Sequence, residues 1–135
     1  MRSATGPAHV ALRGKIAGLR ELGFADPVAM YTSNPVILGY AIDNIRGKIA
    51  DLGELCFADP VKMITTNPAI LGYARERLLL CGRIVMRLDE GGTDGMLARL
   101  IKEQRAVIDT VDAAQPRTWS EVRALIAAAK NMEKP

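Results

Sequence analysis

Apolar residues recur along much of this chain with the period of an α-helix. Ile42, Ile45, Ile49 and Leu52 fall three, four and three residues apart, which lays them along one helical stripe. Leu12, Ile16, Leu19 and Leu22 form a similar stripe earlier in the chain. Further on, Leu97, Leu100, Ile101, Gln104, Val107, Ile108 and Val111 mark an amphipathic helix from about Thr93 to Val111, with Thr93 or Asp94 as its cap. Pro116 separates the last element, where Thr118 and Glu121 have capping-box spacing and Val122, Leu125, Ile126 and Ala129 supply the apolar face. No apolar run approaches the ~18 residues of a membrane span, so a soluble chain is expected.

The pattern also repeats. Residues 13–41 align without a gap to residues 46–74, an offset of 33, and 22 of the 29 pairs are identical. Within each copy, Asp26-Pro27 and Asp59-Pro60 read as helix starts, because Asp accepts bonds from free backbone N–H groups and Pro fits the first helical position. Asn34-Pro35 and Asn67-Pro68 end the short helix that follows, since a residue before Pro is pushed out of the α region. Gly39 and Gly72 then allow the turn into the next long helix, through a 3₁₀ segment at Ile37-Leu38 and Ile70-Leu71. A third copy is expected to restart at Arg83-Ile84, offset by 35 from Lys48-Ile49, with two residues inserted between Arg77 and Gly82.

This grammar predicts an all-α helical-repeat solenoid, of right- or left-handed superhelix. The expected organisation is a loose N-terminus over residues 1–10, repeats over 11–88 and capping helices over 93–135. A repeat stack needs such a cap because an end unit otherwise leaves its apolar face in water. The break between array and cap falls at Asp89, Glu90, Gly91 and Gly92.

Composition supports helices: Ala occurs 19 times and Leu 14, against 8 Val and 4% aromatics, which disfavours an all-β fold. Lys plus Arg exceed Asp plus Glu by 18 − 15 = 3, a mild excess that permits an acidic partner without requiring one. The segment before Glu21 is basic and free of acids, as transit peptides are, but its apolar residues belong to the folded stripe. An intracellular, cytoplasmic location is expected, with a mitochondrial one left open.

Catalysis finds little support in the residues. His9 is the only histidine and sits in the loose start, which leaves no imidazole base for a triad. Cys56 and Cys81 lie in apolar context and read as two small buried side chains, a disulfide or metal role being the lesser alternative. Asp26 and Asp59 are caps before they are a carboxylate pair, and no phosphate-binding Gly-rich loop is present. The expectation is no enzyme activity, no cofactor and no metal.

Leu-Gly-Phe at residues 22–24, the short helix ending in Asn-Pro, Ile-Leu-Gly-Tyr, and a helix opening toward Ile49 and Leu52 together resemble the repeat of the mitochondrial transcription termination factors, the mTERF family. The similarity covers residues 11–88. It implies a left-handed superhelix of α, α and 3₁₀ units whose basic concave surface binds nucleic acid. The closeness of the two copies suggests a bacterial relative or a recent duplication.

Under that resemblance the basic residues become the candidate site. Lys15, Lys48 and Arg83 precede equivalent stripe residues and would form a cationic column, with stacked helices about 8–10 Å apart. Arg13, Arg46, Arg75, Arg77 and Arg87 lie near it. The expected function is nucleic-acid binding, DNA or RNA, mainly through phosphate contacts. The alternative reading of each base is a stem laid over the core edge with its head in water. The alternative function is a protein-interaction module using an apolar or mixed-charge groove. Among the seven positions that differ between the copies, Ala29/Lys62 and Ser33/Thr66 lie four apart on one helix face. That face either tunes partner contact or varies freely in solvent.

Overall fold

A computed structural model describes residues 7–132, with side chains from residue 12 onward. The described residues form α1 (Pro7–Glu21), α2 (Pro27–Ser33), α3 (Ile42–Glu54), α4 (Pro60–Thr66), α5 (Arg75–Met86), α6 (Asp94–Leu100), α7 (Arg105–Ala114) and α8 (Trp119–Met132). Two 3₁₀ helices, Pro35–Gly39 and Pro68–Gly72, follow α2 and α4, and no strand occurs among the described residues. The all-α expectation holds. Residues 7–10, expected in the loose start, are helical, because α1 already begins at Pro7, and proline is tolerated in a first helical turn; residues 1–6 and the side chain of His9 lie outside the described residues. No helix among the described residues is long and apolar enough to cross a membrane.

The chain divides into two compact units. One comprises the residues up to Ala50 together with Asp59–Gly72; the other comprises Asp51–Ala58 and the chain from Tyr73 onward. Leu19, Phe24, Met30, Ile37, Ile45 and Met63 are buried side chains of the first unit. In the second, Leu52, Leu78, Val85, Leu97, Ile108 and Val122 are fully buried.

The two sequence copies fold alike locally. Asp26 and Asp59 each accept a backbone N–H bond at 3.1 Å, from Ala29 and Lys62, and so cap α2 and α4 at the ends where four N–H groups lack helical partners. Both helices are seven residues long and both stop at an asparagine preceding proline, Asn34 and Asn67. The 3₁₀ segments lie where the sequence places them.

The third copy does not restart where the sequence alignment suggests. α5 begins at Arg75, 33 residues after the start of α3 at Ile42, so the spacing continues without the inserted residues. Burial follows the same offset: Leu78, Cys81 and Val85 are buried, as are Ile45, Lys48 and Leu52. Gly82 then stands where Ile49 stood, because the Leu55 side chain fills the space. A Cβ on Gly82 would lie 2.4 Å from Leu55 Cδ1.

The helix expected over residues 93–111 is two helices. α6 is capped by Thr93, whose Oγ1 accepts the Met96 N–H at 3.2 Å, and it ends at Leu100. A turn at residues 101–104 leads into α7. The turn is held by Arg77, whose guanidinium donates to the Ile101 carbonyl at 2.9 and 3.1 Å and also to the Glu103 carbonyl. The Glu103 carboxylate is buried against Arg99 and Lys130. The capping box survives in altered form: the Glu121 N–H donates to Thr118 Oγ1, while Glu121 Oε2 accepts from the N–H of Arg117 rather than of Thr118.

Candidate binding groove and basic side chains

Two helices too short to cover each other fully leave a groove in the first unit. It encloses about 790 Å³ and is walled by the repeated short helices α2 and α4. Phe24 and Met30, both buried, and the half-buried Val61 and Pro68 make it apolar. Exposed Asp26 and Asp59 line it where the two helices start, with Lys62 one turn beyond Asp59 and Ser33 and Thr65 further along. One carboxylate oxygen of each Asp is occupied by the cap bond. Lys62 makes no ion pair or side-chain hydrogen bond among the described residues. Apolar walls with a few placed polar groups are the usual make-up of a binding cleft, and this one is of ordinary ligand-site size.

The sequence held one trace of it. Ala29 and Lys62, the two members of one differing pair, and Ser33, a member of another, line the groove, and so does Gly23, the counterpart of Cys56. Thr66 does not line it; its neighbour Thr65 does.

The structure places the eight basic candidates in different local settings. Lys15 Nζ donates to the carbonyl oxygens of Leu38 and Tyr40, each at 2.6 Å, and thereby satisfies the end of the first 3₁₀ helix. Lys48, its counterpart, is buried. Arg83 does not occupy the repeat position of Lys15 and Lys48: with α5 in register at an offset of 33, Cys81 is the counterpart of Lys48, and Arg83 is exposed on α5. Arg46 pairs with Asp43, Arg75 with Asp51 at 3.0 Å, and Arg87 with Asp112 at 3.0 Å. Arg77 is tied to the 101–104 turn and lies over the Tyr73 ring, 5.2 Å from its centroid. Arg13 and Arg83 alone of the eight stay exposed and without an ion pair among the described residues.

The cysteines differ from each other. Cys81 is buried, and desolvation pushes its thiol up to about 12 despite Arg77 and Arg105, which makes it unreactive. Cys56 is exposed rather than buried, because it sits at the turn that ends α3. Among the described residues no group of His, Cys, Asp and Glu is placed to hold a metal ion.

Comparison of the chain with family models, with curated proteins and with solved structures found no match.

Proposed function

We propose that this protein is a non-catalytic recognition module that takes a polypeptide segment in the groove between α2 and α4. The observation that carries this reading is the groove itself: it is apolar and of mixed charge, and positions that separate two otherwise near-identical sequence copies line it. Three of the seven differing pairs contribute a residue to the cleft, so a duplicated element can present an adjustable contact face there. The same reading takes the chain as a short helical-repeat array with a helical C-terminal cap, left-handed in its superhelix if the mTERF resemblance extends that far, acting inside the cell.

The test is selection of a random peptide library on the immobilised full chain, followed by affinity measurement on the parent and on Ala29→Trp. Position 29 is exposed on α2, so the larger ring fills the groove without disturbing the core. Enriched peptides that bind the variant about tenfold more weakly, a change of about 1.4 kcal/mol, support the reading. No enrichment, or binding indifferent to Ala29→Trp, overturns it.

A second reading is nucleic-acid binding through phosphate contacts. It is favoured by the net charge of +3, by Arg13 and Arg83, which are exposed and without an ion pair among the described residues, and by the mTERF resemblance. On duplex DNA each lost contact should flatten the slope of log affinity against log salt by about 0.9. Anisotropy with DNA and RNA, single and double stranded, on the parent and on Arg13→Glu/Arg83→Glu decides it. Binding that is absent at low salt, or unchanged in the variant, removes this reading.

A further inference from the structure

We propose that a second cavity, in the other unit, binds a phosphate group between Arg87 and Arg117. The cavity holds about 320 Å³ and lies between the C-terminal end of α5 and the loop that joins α7 to α8. Ile84 and Pro116 give it a buried apolar floor, and its polar lining is Arg87, Gln115 and Arg117. The two guanidinium groups are its only charged lining. Asp112 and Asp89, with which these arginines pair, do not line the cavity.

The arginines retain donors for a ligand. Arg87 uses Nε on the Arg83 carbonyl at 3.2 Å and Nη2 on Asp112 at 3.0 Å. Arg117 directs Nε and Nη2 to the same oxygen of Asp89, at 3.2 and 2.7 Å. Nη1 of each is left over, and the Gln115 amide makes no side-chain hydrogen bond among the described residues. Both ion pairs are exposed, Arg87 by 52% and Arg117 by 70% of the side chain, and pairs of that kind hold weakly and exchange readily. A phosphate brings several acceptor oxygens and up to two negative charges. It therefore suits two planar forks that line one cavity from different elements better than a single carboxylate does.

The loop is also fixed in advance. Gln115 holds a left-handed backbone, φ +49°, where α7 ends. The Asp89 N–H donates to the Arg117 carbonyl at 2.7 Å, the Arg117 N–H donates to Glu121 at 3.1 Å, and the Trp119 N–H donates to Glu90. A site whose backbone is already pinned loses less freedom when a ligand arrives.

The probe is inorganic phosphate, titrated into the full chain while melting is followed by circular dichroism, with chloride at matched ionic strength as reference. A saturable rise in melting temperature is expected with phosphate, lost in Arg117→Gln and kept in Arg123→Gln, which alters an exposed arginine outside the cavity. The phosphate-induced shift is read rather than the melting temperature itself, so any destabilisation from losing the Asp89 pair does not confuse the result. Short DNA strands with and without a 5′-phosphate then identify the source. Competition by both supports backbone phosphates, by the phosphorylated strand alone a terminal phosphate, and by neither a small phosphate ligand. A rise that is linear in concentration and unchanged in Arg117→Gln is the general salting effect of phosphate and overturns the proposal.

Discussion

Cys56 repeats the left-handed backbone of Gly23: φ is +74° at Cys56 and +106° at Gly23, 33 residues earlier. Each residue closes a long helix. The Gly23 and Phe24 N–H groups return to the Arg20 and Leu19 carbonyls, and the Cys56 and Phe57 N–H groups return to those of Gly53 and Leu52, at 3.0–3.1 Å throughout.

A Cβ in this conformation costs about 1–2 kcal/mol, and glycine gives back about 0.5–1 of that through its freer unfolded chain. Cys56→Gly should therefore stabilise the protein by about 0.5–1 kcal/mol. Urea unfolding monitored by circular dichroism measures this. A lower midpoint in the variant would show that the exposed thiol contributes more than the backbone strain removes.

Lys15 should behave as a structural residue. Its ammonium serves two carbonyl oxygens at the end of the first 3₁₀ helix, and Lys15→Met removes both bonds while keeping the apolar stem. Bonds to charged groups contribute about 1.5–3 kcal/mol each, and water reaching this part-buried site recovers some of it, so a loss of about 2 kcal/mol is expected. Arg13→Met, on the same helix but without an ion pair among the described residues, should change stability by less than about 0.5 kcal/mol. Equal losses in the two variants would contradict the assignment.

Acid should release the 101–104 turn. Burial alone would raise the carboxyl group of Glu103, but hydrogen bonds and charge from Arg99 and Lys130 outweigh it and hold the group below its ordinary value of 4.5. A depressed folded-state value means that the contribution to stability is complete above about pH 4.5 and is lost as pH falls through the folded value. Glu103→Gln should be less stable than the parent at pH 7, and the gap should narrow below pH 4.5. Urea midpoints from pH 7 to pH 3 give the comparison; a gap that does not change with pH would be the contrary result.

Much of the fold was readable because it is written locally. Asp-Pro and Asn-Pro set the ends of α2 and α4 through cap bonds and proline sterics, which act within a few residues and need no distant partner. What was misread depends on distant groups. The third copy seemed displaced because Gly82 carries no apolar side chain to match Ile49, and the reason lies in Leu55, which occupies that space. The helical period runs through residues 97–111 with only Gln104 polar in its stripe, yet the helix stops at Leu100, where Arg77 holds the carbonyls of the turn. Arg83 shared the repeat position of Lys15 only through the displaced alignment of the third copy; Lys15 turns inward to a pair of carbonyls, whereas Arg83 lies two residues beyond the counterpart, Cys81, and stays in solvent. Beyond the differing positions that line the first groove, neither cavity has a sequence signature, because each is a gap between elements rather than a property of any one.

The seven-residue length of α2 and α4 sets a condition on the groove they wall. A helix that short is unstable alone in water, where about 12–15 residues are needed even for favourable sequences. These two persist through their aspartate caps and through the buried faces of Met30 and Met63. The walls therefore depend on the core for their helical form. A segment bound across both would act as a splint, and its capture would be felt as slowed amide exchange in α2 and α4 ahead of any change elsewhere in the chain.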